Sequence, residues 1–246
     1  MQTFYFTDVG KVRSHNEDNV TIISNDNNEF ILAVADGMGG HRAGEVASGI
    51  AIDKVCDEFY KLDTLGTKED AIDFLRNLVQ VISKSIFAYT KEHPESKGMG
   101  TTLVIAIKTN DYILYGNIGD SSGYVLKNGE LYKVTRDHTL VNLLISTGEL
   151  TEEEAKFHPR KNVLMRALGA NDPIDIDIFD VDTSVNGLFL CSDGLTNMLT
   201  DEQIVKILNS DLSIEEAVVK LIRKCNSRGG TDNVSIAYLK KEIGDL

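Results

Sequence analysis

Four apolar, strand-like runs in this chain each begin or end at an aspartate, and that coincidence restricts the fold more than any other feature. FILAVA (30–35) runs into Asp36-Gly37, YILYGNIG (112–119) into Asp120, and GLFLCS (187–192) into Asp193-Gly194, while Asp232-Asn233 opens VSIAYL (234–239). An isolated ionised carboxylate beside a core is costly unless it is paired or binds a metal. No Lys or Arg lies within three residues of Asp36, Asp120 or Asp193. One such aspartate is ordinary turn or helix-cap chemistry. Four, in segments far apart in the chain, point to acids gathered as oxygen ligands for hard divalent cations.

The intervening sequence says what carries them. TFYFTDV alternates, VTIIS (20–24) is short and β-branched, and FILAVA is a continuous apolar run suited to a strand covered on both faces. Helical periodicity follows from about 44 to 61 and again through 69–92, where Ile72, Leu75, Val79, Ile82 and Ile86 share one face. TTLVIAIK, YILYGNI and GYVLKNGELYKVT make the middle β-rich, with Lys127-Asn128-Gly129-Glu130 as a hairpin signal. Thr151-x-x-Glu154, Thr200-x-x-Gln203 and Ser213-x-x-Glu216 read as capping boxes opening later helices. Strand blocks alternate with helix pairs, which argues against a doubly wound parallel sheet. The expected fold is α+β: a central antiparallel β-sandwich flanked by pairs of α-helices, with the acids at one rim.

With 246 residues, three prolines and no internal repeat, the chain reads as a single domain, 1–246. A net charge of −13 excludes a nucleic-acid footprint and fits poorly with an anionic membrane surface. The three cysteines are widely spaced and form no Cys-x-x-Cys pair, so zinc knuckle and thioredoxin-type chemistry are not indicated. MQTFYFTDVGK lacks the signature of a secretory leader, and no apolar run approaches the ~20 residues of a membrane span. The expectation is a reduced, cytoplasmic protein.

Several carboxylates without an obvious side-chain nucleophile suit two Mg²⁺ or Mn²⁺ ions roughly 3.5–4 Å apart, which activate water and polarise a phosphoryl group. Asp36 is the natural bridging carboxylate, because Gly37 lets its carbonyl approach the same cation. Asp193 and Asp232 would complete the first ion, and Asp120 with Asp193 would hold a further, weaker one. Arg13, in Arg13-Ser14-His15-Asn16-Glu17-Asp18, offers a fork for phosphate oxygens; a surface pair with Glu17 satisfies the same residue. The chain has no phosphate-loop, dinucleotide or His-x-x-x-His motif.

RSHNEDN (13–19), VADGMGGHRAGEVAS (34–48), GMGTT (98–102), NIGDS (117–121), RDHT (136–139), HPRKNVLMRALG (158–169), CSDGLTNML (191–199) and RGGTDNVS (228–235) together resemble the metal-dependent Ser/Thr protein phosphatases, the PPM or type-2C family, in its compact bacterial form. The resemblance spans essentially the whole chain. It implies a binuclear Mn²⁺/Mg²⁺ centre, a possible weaker third ion, and hydrolysis of phosphoserine and phosphothreonine in proteins by water or hydroxide held between two metals. By position, Asp36 would bridge both metals, Gly37 would offer its carbonyl, Asp193 and Asp232 would hold the first metal, and Asp120 the third. Glu17 and Asp18 would act in or just beyond the metal shell through water, and Arg13 would bind phosphate. Residues 146–168 would form a mobile flap that selects substrate. The implied partners are phosphorylated proteins, including a Ser/Thr kinase and its substrates, met by a monomer.

Two positions depart from the pattern. Animal members carry histidine where this chain has Met38, which leaves the leaving-group proton to a metal-bound water or to His41, a role left unassigned. The family usually has arginine after Gly-Asp-Ser, where Ser122 stands here, so another residue must compensate or the third site is weakened. His15, His93, His138 and His158 read as structural, His138 as ordering the loop around Asp137.

Overall fold

The structure, a computed structural model, describes residues 1–39, 43–155, 157–170 and 173–241. Three strands open the chain: β1 (Gln2–Asp8), β2 (Asp18–Ser24) and β3 (Phe30–Met38). Two long helices follow, α1 (Ala43–Phe59) and α2 (Lys68–Glu92), then a 3-10 turn at Pro94–Ser96. The middle holds β4 (Gly100–Thr101), β5 (Leu103–Lys108), β6 (Ile113–Ile118), β7 (Ser122–Lys127) and β8 (Glu130–Lys133). Short helices α3 (Leu140–Ser146) and α4 (Glu152–Ala155) precede β9 (Asp177–Val181) and β10 (Gly187–Cys191). Helices α5 (Asp193–Thr196), α6 (Asp201–Leu208) and α7 (Ile214–Ser227) lead into β11 (Val234–Lys240).

The strands form two antiparallel sheets. One runs β1-β11-β10-β7-β8; the other runs β2-β3-β5-β6-β9, with β4 joined to the end of β3. β3 shows why its run is apolar throughout. Ile31, Ala33 and Ala35 face α1 and α2, while the alternating Leu32 and Val34 face the opposite sheet, where Leu188, Leu190, Ala237 and Leu239 meet them. Phe189, Cys191, Ile236 and Tyr238 pack outward under α5, α6 and α7. The α+β sandwich flanked by helices is therefore the fold expected from the sequence.

Local signals behave as their chemistry requires, with two exceptions. Asn128 and Gly129 turn the β7–β8 hairpin at φ of 54° and 79°. The boxes at Thr151 and Ser213 form, each hydroxyl accepting from the backbone N–H three residues on. Thr200 caps α6 without that side-chain bond; Gln203 instead accepts from Arg228 at 2.7 Å, so a tertiary partner displaces the local one. β9 was not read from the sequence. It is an edge strand paired only with β6, and its Asp177 and Asp180 interrupt the apolar pattern, as edge protection by charge requires.

The outer core of the first sheet is built on aromatic edges: Phe189 lies 6.3 Å from Tyr124 and 5.8 Å from Tyr238, both near-perpendicular. Phe189→Ala should destabilise the protein by about 3–5 kcal/mol. Urea unfolding would show this as a lower midpoint with an unchanged slope.

Candidate functional site

The aspartates named from the sequence are brought to one rim of the sandwich. Asp36 lies near the end of β3 and stands opposite Asp18 in the β2–β3 register. Asp193 follows β10 as the first residue of α5, Asp232 precedes β11, and Asp120 follows β6. Asp36 feels the charges of Asp18, Asp193, Asp120 and Asp232 together.

Close backbone packing makes this convergence. A side chain on Gly37 would lie 2.1 Å from the Gly44 carbonyl oxygen, and one on Gly194 would lie 1.9 Å from that of Asn233. Only glycine lets α1 and the 232–233 turn approach so near. The Gly37 N–H donates to the Glu17 carbonyl at 3.0 Å, which sets Glu17 beside the start of α1. Asn233 fastens the amino-terminal loop: its amide donates to the carbonyls of Val9 and His15, and its oxygen accepts from Glu17 N–H at 2.9 Å.

Hydroxyls orient the acids. Ser192 donates to Asp18 Oδ2 at 2.7 Å and accepts from Ser235 N–H at 3.0 Å. Thr102 accepts from Asp36 N–H at 2.9 Å, and its hydroxyl meets that of Ser121 at 2.8 Å. Sequence reasoning missed Asn233, Thr102, Ser121 and Ser192 as a set. Their signal is adjacency, since each flanks a site acid or the strand opposite one, but serine and threonine there are also plain turn chemistry.

Burial is the first cause raising the carboxyls of Asp18, Asp36, Asp120 and Asp193; their neighbours' like charges add to it. Asp18 and Asp120 are each pushed up to about 7, and Asp36 well above the usual carboxylate range. Burial also raises Glu17, against Arg13 and the Gly44 backbone. The guanidinium of Arg13 reaches Asp232 at 2.9 Å rather than pairing with Glu17, and stays half exposed.

The donor set fits hard divalent cations. All its ligating groups are oxygens, and Asp18 Oδ1 is buried without a hydrogen-bond partner. Among the described residues no three acidic, imidazole or thiol groups close tightly on one point, so the acids border a shared space rather than a tight chelate. Asp18, buried opposite Asp36, belongs to the same group of acids, and Glu17 reaches the start of α1 beside Gly44.

On the Asp120 and Asp193 side, the rim opens into a groove of about 1120 Å³ lined also by Lys133, Arg136, Lys161 and Arg166. Its outer wall is the segment holding α3 and α4. An isolated bridge between Thr101 and Leu168 ties that segment to the sandwich, and another between Thr139 and Leu164 joins its own two ends. Ser122 is buried beneath this corner with an unpartnered hydroxyl. The nearby cation is Lys133, which pairs with Asp137 at 2.7 Å and counteracts the rise at Asp120. Met38 lies in β3 opposite Gly100. His41 lies outside the described residues.

Residues 11–233 match the family model described as Protein phosphatase 2C. The chain is 42% identical over 244 residues to the serine/threonine phosphatase stp of Listeria welshimeri, covering 99% of this chain and 97% of that one. It is 35% identical to the protein phosphatase PhpP of Streptococcus pneumoniae, covering 100% and 99%. The solved S. agalactiae serine/threonine phosphatase superposes with a TM-score of 0.92 at 32% identity, covering 98% and 99%.

The raised carboxyls set a sign for stability. They bind more protons folded than unfolded, so their contribution is full below the ordinary carboxylate range and is lost as pH rises through about 7. Glu29, Asp177 and Asp182 are lowered and act in the opposite sense, but at more acid pH. In chelator, the melting temperature should therefore fall by several degrees between about pH 5 and pH 8. Mn²⁺ should restore it most at the alkaline end. Calorimetric scans with and without Mn²⁺ check both, and a flat profile in chelator would contradict the mutual repulsion.

Proposed function

This chain belongs to the protein phosphatase 2C family, and on that premise we propose that it removes phosphate from phosphoserine and phosphothreonine in proteins by direct attack of water. The observation that carries this reading is the ring of Asp18, Asp36, Asp120, Asp193 and Asp232 about one space, with the half-exposed guanidinium of Arg13 at its edge. The family's dependence on divalent metal fits that ring. Asp36, Gly37, Asp193 and Asp232 are the residues proposed to hold two Mn²⁺ or Mg²⁺ ions. Asp120 with Asp193 would take a weaker third, and Glu17 and Asp18 would act through water. When bound, such ions activate water for in-line attack and offset charge on the transferring phosphoryl group.

The chain's own groups explain why water rather than a side chain attacks. Cys191 is wholly buried under α7, and burial pushes its thiol far above the usual range. Ser192, Ser121 and Thr102 are buried and spend their hydroxyls on the frame. Arg13 points the other way: Asp232 holds one arm of its fork, leaving the rest to receive phosphate oxygens. Ser192 aims Asp18, and Asn233 fixes the loop that carries Arg13 and Glu17.

The groove beside Asp120, lined by residues of both charges, suits the polypeptide around a phosphoresidue, with 146–168 acting as a mobile flap on a single catalytic domain, 1–246. The proposed partners are phosphorylated proteins, among them a Ser/Thr kinase and its substrates. The protein is proposed to act as a cytoplasmic monomer, and its net charge of −13 disfavours nucleic acid; no helix among the described residues is long and apolar enough to cross a membrane.

Phosphate release from a phosphothreonine peptide should require Mn²⁺, stop in EDTA and be abolished by Asp193→Asn in a folded protein. Arg13→Ala should lower kcat/KM by about 10- to 100-fold, since hydrogen bonds to charged groups contribute ~1.5–3 kcal/mol. A folded, Mn²⁺-loaded protein inactive on several phosphopeptides and phosphoproteins would replace this reading with a binding module.

A further inference from the structure

Asp120 hangs from a residue that has no side chain to hold it. Gly119 stands at φ +104°, and a Cβ there would lie 2.5 Å from the Thr102 methyl, so the position is closed to other residues. A glycine just before a repelled carboxylate is free to rotate unless its peptide groups are tied. His138 ties both, and Asn117 Nδ2 shares the carbonyl at 3.1 Å, so the N–H is the group that depends on the ring. Gly119 N–H donates to His138 Nδ1 at 3.1 Å, and Gly119 carbonyl accepts from His138 N–H at 2.8 Å.

These bonds define the ring. A backbone N–H can only donate, so Nδ1 accepts and the imidazole proton sits on Nε2. Nε2 faces Asp177 Oδ2 at 3.1 Å, and the other oxygen of Asp177 accepts from Arg166 at 2.7 Å. Arg166 belongs to the stretch that returns to the same residue: Met165 N–H donates to the His138 carbonyl, and Leu140 N–H to the Val163 carbonyl, each at 2.8 Å. His138 thus joins the Gly119–Asp120 turn to the edge strand β9 and to residues 163–166 of the groove wall. Its side chain is 9% exposed, so water does not substitute for these partners.

We propose that His138 is a positioning residue which, with its proton on Nε2, aims the Asp120 carboxylate by holding Gly119 N–H, using the Asp177–Arg166 pair as its anchor. Cation affinity on the Asp120 side then depends on a ring whose two nitrogens are already engaged, by Gly119 N–H and by Asp177. The inference rests on the metal-binding role given to Asp120 under Proposed function, and the controls separate the two.

Two substitutions divide the ring's functions. His138→Asn places an amide oxygen where Nδ1 stands and keeps an acceptor for Gly119. His138→Gln reaches toward Asp177 and leaves Gly119 N–H without an acceptor. Mn²⁺ titration by calorimetry, on full-length protein shown to be folded, should give a weakest site lost in Asp120→Asn. That site should be weakened about 10-fold or more in His138→Gln, as for other outer partners of metal ligands, and kept within about 3-fold in His138→Asn, with the tighter sites unchanged. Equal weakening in both variants, or a wild-type isotherm in His138→Gln, overturns the proposal while the Asp120 reading stands. A wild-type isotherm in Asp120→Asn overturns both. Nitrogen NMR of the wild-type imidazole is independent of variant folding: a protonated Nε2 and bare Nδ1 are expected, and a proton on Nδ1 overturns the proposal.

Discussion

Carboxylates repel one another, and a site built from several of them stands only where the frame leaves them no way apart. Here the frame is the antiparallel register. Asp18 and Asp36 are directly opposed across β2 and β3, and the turns that end β6 and β10 deliver Asp120 and Asp193 to the same rim. The energy that keeps them there comes from elsewhere, from three apolar layers between and outside the sheets. Protonation or a bound cation relieves the repulsion; burial and like charge together push Asp18 and Asp120 up to about 7.

The packing that forces the acids together also determines which small residues surround them. Gly37 and Gly194 are required because backbone carbonyls approach within the space of a methyl group. The hydroxyls of Thr102 and Ser192 satisfy backbone donors that lie too deep for water, and that of Ser121 pairs with Thr102. A consequence for chemistry follows. The hydroxyls of Thr102, Ser121 and Ser192 are already committed to the frame, while the guanidinium of Arg13, half exposed, keeps donors beyond its bond to Asp232.

Much of this was legible in the chain. Period-2 and continuous apolar runs marked β3, β5, β6, β10 and β11, because a strand covered on both faces must be apolar at every position. Acids with no basic neighbours in sequence marked the rim. β9 was not legible, since an edge strand carries charges on its open side and loses the pattern that identifies buried strands. Nor was the box at Thr200: the motif is present, but Gln203 has a better partner in Arg228, 25 residues away.

By itself the sequence marked the candidate site, acids as oxygen donors beside one arginine, and determined the α+β order of strand blocks and helix pairs. It did so because hydropathy periodicity and side-chain chemistry are local properties, readable one segment at a time. The partner of each group was decided only in three dimensions. Arg13 turns to Asp232, 219 residues away, rather than to Glu17 four residues on; His138 spans Gly119 and Asp177 rather than serving its own loop alone. Hydrogen bonds and ion pairs are won by whichever group the packed core brings within about 3 Å, and no local pattern encodes that competition.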